Sequence, residues 1–283
     1  MFLIVGANSE IGSATANHIR ARGGDVLTTT RRAAEGHKQI RLDLGSSIDD
    51  FSLPAGISSA CICLAVARLA ACAADPEGSA RINVYQTIAL IDRLVSRGIF
   101  TLFLSSNQVF NGDQPHTPTN APLSPVSEYG RQKAETERML HARMAAGAPI
   151  GVLRLAKVVS PDMPLISHWT GELKGGRPVR AFTDVTLAPV PVALAAGLIA
   201  RMMEDRLSLV AQLSGPRDAT YFEVASFLAT KTGADQRLVK PVSALEQGMP
   251  AGSTPQHTTL DSQFVADKYK LCVPDIFDVI QSS

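Results

Sequence analysis

The first half of the chain alternates short apolar segments with longer segments whose apolar residues recur at helical spacing. The clearest helix runs over about 79–97, where Ile82, Tyr85 and Ile88 fall near one face. The strand candidates are, in order, 1–5, 26–29, 39–42, 60–64, 100–104 and 150–155. Strands alternating with helices are typical of a parallel sheet covered by helices. This pattern predicts an α/β fold with a Rossmann-type, doubly wound parallel sheet.

The pattern changes after residue 159, where prolines and glycines break the sequence into short pieces. We expect a Rossmann domain over 1–159 and a smaller C-terminal α/β lobe for the substrate over 160–283. The apolar stretch 187–200 contains two prolines and is too short to cross a bilayer. We predict instead a buried helix over about 190–204 that packs back on the Rossmann domain.

Composition and charge limit the classes of molecule that this protein is expected to bind. Lys and Arg number 27 against 26 Asp and Glu, which leaves a formal charge of +1 without a long run of one sign. Such a balance favours neither nucleic acid nor an acidic membrane as a partner, and a small-molecule substrate fits better. The apolar start Phe2–Val5 lacks a basic leader, so we expect a cytoplasmic protein. A homodimer is one possible assembly of the chain.

The chain has four cysteines, at positions 61, 63, 72 and 272. Cys61 and Cys63 lie in an apolar run, where thiols usually behave as small buried hydrophobes. The alternative is a metal site, because alternate strand residues point to the same face. No His or second Cys pair nearby in the sequence would complete a tetrahedron, so we expect reduced thiols and no metal.

A glycine turn follows the first strand, as the segment Gly6-Ala-Asn-Ser-Glu-Ile-Gly12. A strand, a tight turn and a helix bring backbone N–H groups and the positive end of a helix to a pyrophosphate. The turn therefore predicts a dinucleotide site. The residues expected to bind the cofactor here are Gly6, Asn8, Ser9, Glu10, Ile11 and Gly12.

The end of the second strand bears on the choice of cofactor. An enzyme that prefers NAD usually has an acid there for the ribose hydroxyls, and this chain has Thr30. The two residues that follow, Arg31 and Arg32, carry guanidinium groups that suit a 2′-phosphate. NADP, used as NADPH, is therefore the expected cofactor rather than NAD. The alternative is that the two arginines are only solvated.

Tyr129 and Lys133 lie one helical turn apart at the start of a predicted helix, in Tyr-Gly-Arg-Gln-Lys. A lysine cation beside a tyrosine favours the phenolate and is expected to lower the pKa of the phenol, which suits proton transfer. Upstream, Ser106 follows the apolar strand 101–104, at the edge where open parallel sheets bind ligands. We predict Ser106, Tyr129 and Lys133 as catalytic residues, with Tyr129 and Lys133 also touching the cofactor.

These motifs resemble the extended short-chain dehydrogenases/reductases. The strand end Ser105-Ser-Asn-Gln-Val-Phe110 and the Pro-rich loop after it are most similar to dTDP-4-dehydrorhamnose reductases and their sugar-nucleotide-binding relatives. The resemblance adds Asn83 to the predicted catalytic residues, for a proton relay. It implies a keto group on a nucleotide sugar as substrate. It also places Asp43, Leu44, Leu64, Ala65 and Val66 beside the cofactor.

The predicted substrate residues are Asn107, Gln108, Lys157 and Trp169. Lys157 stands where that family has a tryptophan, and its amine suits a carboxylate or phosphate, although it could equally be a surface residue. Trp169 could face a sugar ring, but packing in a core is the commoner role of a lone tryptophan. Near the C-terminus, Thr254 replaces the arginine of a segment that grips nucleotide phosphates in that family.

Two further functions remain open from the sequence. The same residues serve epimerases and dehydratases, which oxidise and then reduce one sugar around a retained cofactor. The regulatory subunit of methionine adenosyltransferase also resembles this reductase family, and it acts by binding a partner without catalysis. Tightly retained nucleotide would favour the former, and a co-purifying partner would favour the latter.

Overall fold

The computed structural model of the chain describes residues 1–32, 34, 36, 38–46, 48, 51–160, 163–249 and 254–281. Its strands are β1 (Phe2–Val5), β2 (Val26–Thr30), β3 (Gln39–Arg41), β4 (Ser59–Ile62), β5 (Phe100–Ser106), β6 (Ile150–Leu155), β7 (Val158–Val159), β8 (Val179–Phe182), β9 (Thr186–Leu187), β10 (Val190–Pro191), β11 (Val210–Leu213), β12 (Ala219–Thr220) and β13 (Val239–Val242). Its α-helices are α1 (Glu10–Ala21), α2 (Leu69–Ala74), α3 (Pro76–Ala80), α4 (Thr87–Val95), α5 (Glu128–Ala145), α6 (Pro164–Lys174), α7 (Val192–Asp205), α8 (Tyr221–Thr232), α9 (Gln263–Tyr269) and α10 (Ile276–Gln281).

Seven strands form the central sheet, in the order β11-β6-β5-β4-β1-β2-β3. β1 pairs in parallel with β2 on one side and β4 on the other, with Leu3 opposite Leu27 and Ala60. Leu3, Ile4 and Val5 are fully buried, as expected for a central parallel strand covered on both faces. The predicted α/β class and Rossmann-type sheet are confirmed. The direction of winding reverses between β1 and β4, and ligands bind at such a reversal in open sheets.

The chain divides into two compact units. The first comprises Met1–Phe110, Pro122–Arg154 and Val192–Ala211, and the second comprises Asn111–Ala121, Leu155–Pro191 and Gln212–Ser283. Helix α7 belongs to the first unit and packs along α1, where a methyl group at Gly197 would lie 3.4 Å from the His18 ring. The boundary expected after residue 159 stays a prediction.

The helix expected over 79–97 is divided by a π-helical segment, Arg81–Gln86, between α3 and α4. A π turn adds one residue to the helical repeat and so shifts the faces on either side of it. Ile88 remains 5% exposed, whereas Tyr85 is 65% exposed. The prediction that Tyr85 shares the apolar face is therefore wrong.

The second unit has its own core, in which Trp169 and Leu173 of α6 pack with residues of α8 such as Val224. Three pairs of short strands are also present, namely β8 with β13, β9 with β12 and β7 with β10, and the first two pairs contribute residues to this core. Thr220 and Glu223 form a reciprocal cap at the start of α8.

None of the described helices is both long enough and apolar enough to span a membrane.

Candidate active site

The glycine turn after β1 is packed too tightly for side chains at its two ends. Gly6 has a φ of +85°, and a Cβ there would lie 2.8 Å from Cβ of Leu64. A Cβ at Gly12 would lie 2.5 Å from the carbonyl oxygen of Gly6. Both distances are shorter than atoms tolerate, so each position requires glycine. The turn thus lets the backbone approach a ligand closely at the start of α1.

Ser9 has a structural role within this turn. Its hydroxyl accepts a hydrogen bond from the N–H of Gly12 over 3.1 Å and donates to the carbonyl of Gly6 over 2.8 Å. Ser9 is therefore the N-cap of α1, and its hydroxyl has both a donor and an acceptor partner inside the turn. The side chain of Glu10, the first residue of α1, is exposed.

A cleft of about 410 Å³ opens at the carboxyl ends of β1, β2 and β4. This volume is in the range of small-molecule sites. The predicted cofactor residues that line it are Gly6, Asn8, Ser9, Thr30, Arg31, Asp43, Leu44, Leu64, Ala65 and Val66. The predicted residues outside the lining are Glu10, Ile11, Gly12, Arg32, Tyr129 and Lys133.

The cleft also contains residues that the sequence did not indicate, among them Thr29, Cys63 and Arg68. The hydroxyl of Thr29 accepts the N–H of Gly6 over 3.0 Å and so fixes the glycine turn to β2. The sequence did contain a signal for this role, because Thr29 lies one residue before the end of the second strand. Arg68 precedes α2 and is exposed, and no motif in the sequence marks it. The cleft therefore contains two exposed arginines, Arg31 and Arg68.

The start of α5 requires a glycine of its own. Ser127 caps the helix by accepting the N–H of Gly130 over 3.0 Å. A Cβ at Gly130 would lie 2.1 Å from the carbonyl oxygen of Gln108. The hydroxyl of Ser127 also donates to the side-chain oxygen of Gln108 over 3.2 Å. These contacts hold the start of α5 against the turn that follows β5.

Tyr129 and Lys133 are brought together at this helix end. The Nζ of Lys133 lies 5.8 Å from the centroid of the Tyr129 ring and donates to the carbonyl of Leu104 over 2.8 Å. Lys133 is only 3% exposed. Burial lowers the pKa of Lys133 to about 8, against the opposing effect of the Glu137 carboxylate.

Burial also raises the pKa of Tyr129 above its usual range, and the nearby Cys72 thiol adds to this. The direction is opposite to the lowering expected from Lys133 alone. That expectation was wrong because burial disfavours the charged phenolate, and this effect sets the direction of the shift. Tyr129 is consequently a protonated phenol at neutral pH.

Ser106 ends β5 and caps the short 3-10 turn Asn107–Val109. Its hydroxyl accepts the N–H of Gln108 over 3.2 Å and donates to the side-chain oxygen of Asn107 over 3.3 Å. The side chains of Ser106, Asn107 and Gln108 are all half-buried. Since Gln108 contacts Ser127, the Ser106 turn and the start of the Tyr129 helix are joined.

Asn83 lies in the π-helical segment and is 1% exposed. Its side chain accepts the N–H of Val66 over 2.8 Å and donates to the carbonyl of Val66 over 3.0 Å. It also donates to the side-chain oxygen of Gln132 over 2.7 Å. Asn83 thus connects a residue of the cleft with the residue beside Lys133. The sequence did not indicate Gln132, because its role depends on contacts between distant segments.

A buried ion pair supports α5 from β6. Arg154 donates to the carboxylate of Glu137 over 2.7 Å, and their side chains are 2% and 0% exposed. Arg154 also lies over the ring of Phe110, 5.0 Å from its centroid. Glu137 is one turn beyond Lys133, so this pair fixes the helix that carries the predicted catalytic residues.

The predicted substrate residues of the second unit differ in exposure. Lys157 is exposed, and its Nζ donates to the hydroxyl of Tyr221 over 2.8 Å. Trp169 is 6% exposed and packs edge to face on Tyr221, with 6.3 Å between ring centroids. Its burial favours the packing interpretation, and the half-buried Tyr221 is the aromatic residue next to Lys157.

Residues 257–259, which follow Thr254, are held by an acid that the sequence did not indicate. Asp218 accepts hydrogen bonds from the backbone N–H groups of Thr258 and Thr259, at 2.6 and 3.1 Å, and from both hydroxyls. Burial opposes these bonds, yet together with His257 they lower the pKa of Asp218. A carboxylate therefore occupies the donors that an anion could otherwise use.

Solved structures share this fold. A dTDP-4-dehydrorhamnose reductase from Clostridium acetobutylicum superposes with a TM-score of 0.82 at 17% identity, over 99% of this chain and 97% of that one. A Bacillus anthracis dTDP-4-dehydrorhamnose reductase in complex with NADP gives 0.81 at 15%, over 99% and 97%. MoeE5 in complex with UDP-glucose and NAD gives 0.80 at 22%, over 99% and 96%. No curated protein sequence matches the chain.

The sequence itself matches one protein family along almost its whole length. The match covers residues 1–277, and the family is described as the RmlD substrate binding domain. The resemblance inferred from the Ser106, Tyr129 and Lys133 motifs is thereby confirmed. The chain belongs to the RmlD substrate binding domain family, whose solved neighbours include dTDP-4-dehydrorhamnose reductases.

Proposed function

We propose that this protein reduces a keto group on a nucleotide sugar, with NADPH as the reductant and Tyr129 as the proton donor. The observation that carries the proposal is the pair at the start of α5. There the buried Lys133 lies 5.8 Å from the Tyr129 ring, in the same unit as a cleft at the carboxyl ends of β1, β2 and β4. A phenol beside a buried ammonium group suits proton transfer to a developing alkoxide.

The cleft fits a dinucleotide. Neither Gly6 nor Gly12 can accept a Cβ, so the backbone at the start of α1 can approach a pyrophosphate, whose charge suits the positive end of that helix. The exposure of Glu10 lets its carboxylate turn to solvent. That a B. anthracis neighbour is in complex with NADP and MoeE5 with NAD supports a nicotinamide cofactor.

A nicotinamide cofactor supplies the hydride when it is bound. Tyr129 is protonated at neutral pH and donates its proton to the substrate oxygen. Lys133, with a pKa of about 8, is charged at that pH and stabilises the phenolate that remains. Ser106 donates to the same substrate oxygen in place of its 3.3 Å bond to Asn107. Asn83 holds α5 against Val66, and a water relay through Asn83 stays a prediction.

The substrate class rests on both units considered separately. Asn107 and Gln108 offer amide groups next to Ser106 in the first unit. Lys157 offers an ammonium group in the second, beside the Tyr221 hydroxyl, which suits a carboxylate or phosphate. Solved neighbours in complex with UDP-glucose and UDP-glucuronic acid support a nucleotide sugar.

Replacing Tyr129 by Phe tests the assignment. We expect Tyr129→Phe to abolish turnover of keto-sugar nucleotides while NADPH still binds, because only the phenolic hydroxyl group is removed. Tyr85→Phe is the matched control, since Tyr85 is 65% exposed and outside the cleft. Steady-state rates and NADPH fluorescence titration give the two measurements.

Several outcomes separate the candidate functions. An unchanged rate in Tyr129→Phe would rule out its role as proton donor. Nucleotide that stays bound through purification, with interconversion of a sugar nucleotide and no net oxidation of NADPH, would favour an epimerase or dehydratase. No hydride transfer to any keto-sugar nucleotide, together with a co-purifying partner, would favour a non-catalytic regulatory subunit.

The preference for NADPH over NADH depends on Arg31. Arg31 lines the cleft next to Thr30, which ends β2 where an enzyme that prefers NAD usually has an acid, and Arg32 does not line it. We expect Arg31→Ala to weaken NADPH binding about ten-fold, or about 1.4 kcal/mol, and to leave NADH binding unchanged. Arg32→Ala is the matched control. Equal losses for both nucleotides would contradict a 2′-phosphate contact.

A further inference from the structure

The carboxyl end of β4 carries two cysteines in contact. Cys61 lies within the strand and is fully buried, while Cys63 follows the strand and is half-buried. Because residues two apart in an extended strand share a face, both thiols point the same way. The Sγ of Cys63 donates to the Sγ of Cys61 over 3.5 Å. A buried thiol is thus in contact with one that solutes can reach.

Cys63 connects this pair to the cleft, which it lines together with Leu64 and Ala65. Its N–H donates to the carbonyl of Val5 over 2.9 Å, and its carbonyl accepts from the hydroxyl of Ser9 over 3.4 Å. The next residue, Leu64, is the one that a Cβ at Gly6 would strike. A shift of Cys63 would therefore reach the glycine turn through its own backbone.

We propose that Cys61 and Cys63 are a redox-sensitive dithiol, which hydroperoxides convert to an intrachain disulfide that excludes a dinucleotide from the cleft. The Cys63 sulfur attacks the peroxide O–O bond, forms a sulfenic acid and releases water or an alcohol. The Cys61 sulfur then displaces the sulfenic oxygen, which leaves as a second water with the thiol proton. Two thiols are oxidised, one peroxide is reduced, and a thiol reductant reverses the change.

The positions of the two residues explain why the cleft should respond. Cys61 is paired on both sides, opposite Ile4 of β1 and Leu102 of β5. Cys63 lies beyond the last residue of β4. Bringing the sulfurs from 3.5 Å to the bonding distance of about 2.0 Å should therefore move Cys63 more than Cys61. The effect on the cleft rests on the proposed dinucleotide function, and the thiol chemistry does not.

The positions of Lys and Arg in the sequence allow the proposed disulfide to be detected by the mass of one tryptic peptide. No Lys or Arg lies between residues 42 and 68, so trypsin releases Leu42–Arg68 with Cys61 and Cys63 and neither of the other cysteines. We expect hydrogen peroxide treatment of the folded chain, followed by iodoacetamide, to give this peptide two hydrogens lighter and unalkylated. Cys272, which is exposed and on a separate peptide, reports general oxidation. Saturation with NADPH should slow the loss of the Cys63 thiol.

Variants then link the disulfide to the cleft. We expect peroxide to remove most NADPH binding from the wild type and from Cys272→Ser, with recovery on adding dithiothreitol. In Cys63→Ala the NADPH affinity should be the same before and after this treatment, whatever its value relative to the wild type, and neither Cys63→Ala nor Cys61→Ala should give the lighter peptide. Thermal melts confirm that each variant is folded. If one of the two cysteine variants does not fold, the other provides the comparison with the wild type by itself.

Two results would overturn the proposal. One is recovery of the 42–68 peptide with both thiols alkylated after peroxide, when Cys272 is oxidised. The other is an equal loss of NADPH binding in wild type and folded Cys63→Ala. If the reduced wild type binds no dinucleotide at all, the proposed function fails, and the peptide mass still decides whether the dithiol closes.

Discussion

The two units hold their polar candidates in different ways. In the first, Gly12 and Gly130 face backbone oxygens so closely that no Cβ fits, and Lys133 is 3% exposed. In the second, Lys157 is exposed and its hydrogen bond goes to another side chain, Tyr221. Steric exclusion and burial leave few acceptable residues, whereas an exposed pair tolerates replacement. The first unit accordingly carries a recognisable motif, whereas the differences expected from the sequence resemblance, at Lys157 and Thr254, both lie in the second.

A glycine in each unit gives the strongest test of this contrast. In Gly12→Ala the added methyl group would meet the carbonyl of Gly6 at 2.5 Å, so we expect NADPH binding to be lost. In Gly171→Ala, inside α6 of the second unit, the methyl group meets nothing within 4 Å. There we expect a gain of roughly 1 kcal/mol in the free energy of unfolding. Titration with NADPH and urea denaturation measure both, and normal NADPH binding by Gly12→Ala would contradict the steric argument.

Ion pairs provide a test of intermediate size. Glu137→Gln leaves the 2% exposed Arg154 without its carboxylate and should lower the free energy of unfolding by about 3 kcal/mol. The matched change in the second unit is Arg237→Gln, at a pair whose side chains are 89% and 45% exposed. That change should leave the free energy of unfolding almost unchanged, because solvent screens the exposed pair. If urea denaturation showed equal losses in the free energy of unfolding for the two variants, burial would not explain the difference between the two units.

The pH profile gives the smallest effect. The proposed mechanism needs Lys133 charged, and its lowered pKa of about 8 means that the charge is lost as the pH rises through that value. We expect kcat/KM to fall above about pH 8, approaching ten-fold per pH unit. Lys157→Met should keep this decline whatever its effect on KM. A profile that stays flat from pH 7 to 9 would show that Lys133 does not titrate in the free enzyme.

Sequence reasoning located the strands well because their apolar runs are buried on both faces of the sheet. β6, for example, occupies the predicted residues 150–155. It failed within the helix over 79–97, which contains a π-helical segment whose Asn83 bonds to the distant Val66 and Gln132. Local periodicity contains no signal for such a contact. Tyr85 was misplaced for that reason.

The direction of the Tyr129 pKa shift shows the same limit. Spacing alone puts a cation next to the phenol and predicts a lowered pKa. Only the folded chain adds the desolvation that reverses it. Gln132, Glu137, Arg68 and Asp218 were also not indicated, because each acquires its role from residues far away in the chain or from the walls of the cleft.

The sequence by itself determined the family, the Rossmann-type sheet and the residue types at the glycine turn and the start of α5. These follow from local rules, since strand burial, capping and close backbone approach restrict which residues fit at fixed spacing. The tertiary structure decided which residues line the cleft, how Lys133 and Tyr129 titrate, and that Cys61 and Cys63 are in contact. Those properties depend on burial and on distances between separate segments, which spacing along the chain does not specify.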